Sequence, residues 1–120
     1  MQGTEYQEQC ALFEWADANQ STYPQLANMF ATLNGIRLPI GLAVKAKKQG
    51  NKKGVPDVFL DWPRYPYKGL RIEMKVGKNK RTKEQVEWAQ RLIECGYCVY
   101  VCYGWEEARE IILKYLAGYL

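Results

Sequence analysis

The sequence contains no histidine. That excludes Ser-His and Cys-His nucleophile pairs and any histidine general base. Cysteine is sparse, with Cys10, Cys95, Cys98 and Cys102. Cys95 and Cys98 have CxxC spacing, but the chain offers neither a second such pair nor a histidine to complete a structural zinc site. The motif also does not open a helix after a strand, as a redox pair does. These thiols read as reduced and at least partly buried. No apolar run is long enough to cross a bilayer. The opening MQGTEYQEQ is polar and acidic, unlike a signal peptide, so the expected location is cytoplasmic. Any catalysis must therefore use carboxylates, lysine, tyrosine or a metal held by oxygen, and oxygen ligands suit magnesium or manganese.

What is present is ordinary for a soluble globular chain: 120 residues, 48% hydrophobic and 25% charged. The length suits one domain over residues 1–120. The net charge of +4 is modest but unevenly placed. Lys45, Lys47, Lys48, Lys52 and Lys53 precede a Pro-Asp pair, and Lys78, Lys80, Arg81 and Lys83 follow a Glu-Met-Lys triplet. Together they are nine of the 17 basic residues and bracket a small acidic group. Basic clusters flanking acids suit a polyanion approaching a bound metal, although lysine runs are also common on solvated loops.

Local signals place the elements. Thr4 and Gln7 form a capping box that opens a helix over 5–18. On it Gln9, Leu12, Phe13 and Ala16 share one face, with Glu5 one turn before Gln9. Pro24 opens a short helical turn. Met29 to Leu33 reads as a strand followed by an Asn34-Gly35 turn, and Ile36 to Leu42 as a loop or short strand. Leu42 to Gln49 has good helix formers and stops at Gly50. Val58 to Leu60 is a short apolar strand. Leu70 to Val76 alternates, Leu70, Ile72, Met74 and Val76 to one side and Arg71, Glu73 and Lys75 to the other. A second capping box, Thr82 with Gln85, opens a helix with Val86, Ala89, Leu92 and Ile93 as its apolar stripe. Tyr97 to Tyr103 is wholly apolar and reads as a central strand. Trp105 to Ala117 is the last helix. The class is α/β with a mixed sheet flanked by helices, in the order α-β-β-β-α-β-α.

On a strand, residues two apart project from one face, so Glu73 and Lys75 point to one place. Asp57, just before the preceding strand, and Glu5, at the start of the first helix, could bring further carboxylates there. Carboxylates that close repel unless something positive lies between them, and a divalent metal is the simplest candidate. Such a metal acidifies water and offsets charge on a phosphoryl oxygen, while Lys75 orients the water or neutralises charge in the transition state. A cross-strand ion pair would also account for Glu-x-Lys taken alone.

The set as a whole resembles the PD-(D/E)XK nuclease superfamily and, more narrowly, the VRR-NUC domain family. The matching pieces are Thr4-Glu5…Gln9, Asn34-Gly35, Gly54-Val55-Pro56-Asp57, Glu73-Met74-Lys75, Thr82-Lys83-Glu84-Gln85…Trp88 and Gly96-Tyr97, which run along nearly the whole chain. The resemblance implies a restriction-endonuclease-like core. It implies that Asp57, Glu73 and the Met74 backbone carbonyl hold Mg2+ or Mn2+ and that Lys75 is the catalytic lysine. It adds Glu5 as the helix acid with Gln9 beside it, Glu8 being the alternative, and Gln85 as support for the lysine. It further implies phosphodiester hydrolysis of DNA, structure-selective as in Holliday-junction cleavage, by a homodimer of a phage or bacterial protein; no small-molecule cofactor and no membrane are expected. Trp62, Tyr65, Tyr67, Tyr115, Tyr119 and Leu120 are candidates for the dimer surface. The competing reading is a non-catalytic DNA-binding module that uses Lys45, Lys47, Lys48, Lys52, Lys53, Lys78, Lys80 and Arg81 on basic loops 45–53 and 78–83. The acids argue against it, because a pure binder has no reason to place them where phosphates must come.

Overall fold

The computed structural model describes residues 2–120. Helix α1 (Glu5–Ala18) starts at the expected box, with the Thr4 hydroxyl accepting from Gln7 N–H and the Gln7 side chain accepting from Thr4 N–H. A 3-10 turn at Pro24–Asn28 leads into β1 (Met29–Ala31), and a second at Leu33–Gly35 follows it. The segment after Ile36 forms no strand: Pro39 is extended and α2 (Ile40–Lys48) begins directly behind it. Then come β2 (Val58–Leu60), β3 (Leu70–Lys75), α3 (Lys83–Glu94), β4 (Cys98–Tyr103) and α4 (Trp105–Ala117). The order is the expected one with the short helix α2 inserted between the first two strands. Thr82 and Gln85 cap α3 reciprocally, as Thr4 and Gln7 cap α1.

The four strands lie in the order β1-β2-β3-β4; the first two pairings are antiparallel and the last is parallel. Register puts Met29, Val58, Leu60, Leu70, Ile72, Met74, Cys98 and Cys102 on one face. That face packs with Leu12 and Ala16 of α1 and with Ala108, Ile112 and Tyr115 of α4 to make the core. Leu12, Ile72 and Ile112 have essentially no exposed surface, and burial of such side chains contributes about 1.5–3 kcal/mol each.

Two expectations about the sheet fail. The apolar run of β4 lies at the edge, paired only with β3, and Tyr100 on it is exposed. Its apolarity comes from the helices packed against it, α3 and α4, and not from a central place in the sheet. The inner strands are β2 and β3, and all six residues of β3 are buried, Arg71, Glu73 and Lys75 included. Arg71 solves its burial with an ion pair to Asp61 at 2.9 Å and with the rings of Phe59 and Tyr97 within 4.4 Å of its guanidinium carbon. The expected stripe on α3 is also only part-covered: Ala89 is buried, whereas Val86 and Ile93 are exposed.

The thiols divide the same way. Cys98 and Cys102 sit in the core, and burial pushes them up to about 11 and about 12, with the charge of Glu107 adding to the effect at Cys102. Cys10 and Cys95 are exposed. The native protein near neutral pH should therefore titrate two thiols with an aromatic disulfide reagent and four after denaturation; prompt reaction of a third in the native state would contradict this core.

Candidate active site

The site forms where the β2–β3 ladder ends. Val58 pairs with Ile72, so the residue before Val58 faces Glu73 across the two strands. Asp57 is that residue. Its carboxylate accepts from Met74 N–H at 2.8 Å, extending the ladder by one side-chain bond. In an extended strand the N–H and C=O of one residue point to the same side. Gly69 and Lys75 direct their carbonyls to the β4 side, accepting from Cys98 and Gly104. Met74 therefore directs its own toward Asp57.

Three clamps hold Asp57 in place. Thr32 N–H donates to the Asp57 carbonyl at 2.8 Å, and the Thr32 hydroxyl to Pro56 at 3.0 Å. Asn34 donates to the Val55 carbonyl at 3.1 Å. Gly54, at φ +88°, lies so close to the α3 start that an added Cβ would sit 2.5 Å from the Glu84 carbonyl carbon. Only glycine fits that contact. The Gly54–Asp57 loop is thus fixed between the end of β1 and the start of α3. Thr32 and the contact at Gly54 carry no signal in the sequence, because each acts on the main chain of a distant segment.

Asp57 borders two clefts. One, of about 260 Å³, is lined by Glu5, Tyr6, Gln9, Thr32 and Met74 among others. The other, of about 200 Å³, is lined by Asn34, Lys53, Gly54 and Gln85 among others. Beyond it lies a larger groove of about 580 Å³ that shares Asn34 and Lys53 and adds Lys47 and Lys52, with Leu33, Ile36 and Leu38 as apolar wall and no acid in its lining. Burial raises Asp57 to about 6; Glu5 and Glu73 push the same way, against the Met74 N–H and the Lys75 charge. All three charged groups therefore act on one carboxylate.

The structure brings Glu5, Gln9, Asp57, Met74 and Gln85 to these clefts. Gln85 spends its side-chain oxygen on the Thr82 cap. Lys75 is buried and takes part in Asp57's electrostatics. Glu73 has no exposed surface and is gripped by Arg81, whose Nε lies 2.9 Å from Oε2 and Nη2 3.4 Å from Oε1. Arg81 thus stands apart from the exposed Lys45, Lys47, Lys48, Lys52, Lys53, Lys78 and Lys80. Lys45, Lys47 and Lys48 occupy the last turn of α2, where cations also favour the helix dipole.

The donors suit a hard divalent cation: carboxylates and a carbonyl, with an excess of negative charge around Asp57. Among the described residues no three acids converge as a ready-made cage, and Glu73 is turned to Arg81.

The family model of the VRR-NUC domain matches residues 3–106. The chain belongs to the VRR-NUC domain family. A solved structure of a VRR_NUC domain protein is 29% identical, with a TM-score of 0.80 over 98% of this chain and 91% of that one. No curated protein sequence matches at significance. Membership makes this a nuclease-type domain with a mixed α/β core. No helix among the described residues is long and apolar enough to cross a membrane.

Within this VRR-NUC domain the two acids at the start of α1 have different surroundings. Glu5 lines the Asp57 cleft and accepts from Asn79 at 3.4 Å. Glu8 points away, accepting from Gly3 N–H at 3.1 Å and Trp105 N–H at 3.0 Å. Gly104 offers α4 no side-chain cap, so Glu8 supplies one from α1. Glu8→Ala should lower stability by about 1 kcal/mol, measured by urea denaturation, whereas Glu5→Gln should leave it within about 0.5 kcal/mol.

Proposed function

We propose that this domain is a metal-dependent endonuclease that hydrolyses phosphodiester bonds in DNA, selecting branched or otherwise structured substrates. One observation carries the reading: two acids and a lysine are buried together at the end of a sheet and open, through Asp57, toward an acid-free groove lined by Lys47, Lys52 and Lys53. Burying like charges has a cost that a purely structural domain has no reason to bear. A cationic groove leading to them suits a phosphate backbone.

Asp57, the Met74 carbonyl and Glu73 would hold Mg2+ or Mn2+, with Glu5 completing the set. The cation, when bound, offsets charge on the phosphoryl oxygens and acidifies water. Lys75 brings a fixed positive charge beside the acids, where it orients the attacking water or stabilises developing negative charge. Gln9 lies one turn beyond Glu5 on the same cleft, and Gln85 lines the other cleft that Asp57 borders. The backbone of the DNA lies along Lys47, Lys52 and Lys53, with Lys45, Lys48, Lys78 and Lys80 as outlying contacts.

A homodimer would supply the second site that symmetric cutting of two strands requires. Tyr65 and Tyr119 are 96% and 80% exposed and available for such a surface. Tyr115 is in the core, its hydroxyl donating to the Trp62 carbonyl at 2.6 Å, and is not.

Labelled four-way junction, flap, single-stranded and duplex DNA, each with Mg2+, Mn2+ or EDTA, test this directly. Cleavage should need the cation and should fall by at least about a hundredfold in Lys75→Ala and Asp57→Asn, with DNA binding retained. Binding without cutting in any metal would point instead to a DNA-binding module. A second measurement concerns the groove: Lys47→Glu with Lys52→Glu should weaken DNA binding and flatten its salt dependence by about one unit of log–log slope per lost phosphate contact. An unchanged slope would place the DNA elsewhere.

A further inference from the structure

Glu73 has no exposed surface and lines neither of the clefts that Asp57 borders. Its ion-pair partner is Arg81, which engages both carboxylate oxygens at 2.9 and 3.4 Å. Arg81 comes from the opposite direction. It lines a shallow groove of about 290 Å³ beside α3, together with Val86, Gln90 and Ile93, and its side chain is 31% exposed. Its backbone is fixed, because the next residue is the Thr82 cap of α3. A side-chain rotation would carry the guanidinium from Glu73 outward into that groove.

A buried carboxylate without a partner is strongly destabilising, so one cation must always accompany Glu73. Arg81 fills that role in the arrangement seen here. A two-pronged guanidinium contact uses the same oxygens that a metal would need. We infer that Arg81 is a positioning residue that competes with the divalent cation for Glu73, occupying both carboxylate oxygens until the cation displaces it. The inference rests on the metal site proposed above.

The experiment is Mn2+ titration by calorimetry without nucleic acid, paired with thermal melts in EDTA and in Mn2+, on the full chain. Arg81→Ala should melt below the unaltered protein in EDTA. It should bind Mn2+ at least about tenfold more tightly, about 1.4 kcal/mol, and gain more melting temperature from Mn2+ than the unaltered protein does. If Arg81→Ala does not fold in EDTA, Arg81→Gln gives the same reading, since it keeps a hydrogen-bond donor without the charge. In a Glu73→Gln background the Arg81 substitution should leave Mn2+ affinity unchanged, which isolates the pairwise coupling. A residue that merely orients Glu73 for the metal would weaken Mn2+ binding when removed; weaker or equal binding in Arg81→Ala overturns the competition alone. Absence of Mn2+ binding in both the unaltered protein and the variant overturns the metal reading with it.

Discussion

Charge on one inner strand, β3, is the constraint around which this molecule is arranged. β3 has a neighbour on each side and helices above and below the sheet, yet Arg71, Glu73 and Lys75 on it are buried. Each such charge needs a local answer. Arg71 is answered by Asp61 and two aromatic rings, Glu73 by Arg81, and Lys75 by its place among the acids. The opposite face of the same strand, Leu70, Ile72 and Met74, is in the hydrophobic core. One strand therefore joins the most stable part of the fold to its most strained electrostatics.

That junction gives the candidate site its rigidity. Asp57 sits one residue beyond the last β2–β3 pair and continues the ladder through Met74 N–H. Thr32, Asn34 and the close approach at Gly54 fix the loop before it. α1 is tied to the site's end of the sheet by Glu8, which caps α4, and by Gln2, which bridges Gly77 N–H and the Tyr103 carbonyl. Glu5 and Gln9 reach the Asp57 cleft from this anchored helix. By contrast α2 buries no residue.

The helices were legible because their boundaries are local. Two threonine-glutamine boxes and glycines at helix ends act within four residues of one another, and α1 and α4 fall where those signals put them. The pairing of Asp57 with Glu73 and Lys75 was legible through strand alternation and the family resemblance. The position of each strand in the sheet was not. The apolar run of β4 reflects packing against α3 and α4, which a helix supplies as well as a neighbouring strand does, so apolarity alone does not place a strand at the centre of the sheet. The α3 stripe misled in the same way, because apolar spacing does not say how much of a helix is covered.

By itself the sequence determined the element types, the order of the strands along the chain, the absence of histidine chemistry and the acids and lysine of the candidate site. Periodicity and capping are encoded over short spans, and a side chain's chemistry does not depend on its neighbours. Only the tertiary structure decided that β3 is inner and β4 an edge, that Glu5 and not Glu8 faces Asp57, and that Arg81 holds Glu73. Those outcomes join residues far apart in the chain or turn on which side of a helix a side chain leaves. They follow from how a buried charge finds its partner once the whole chain has packed.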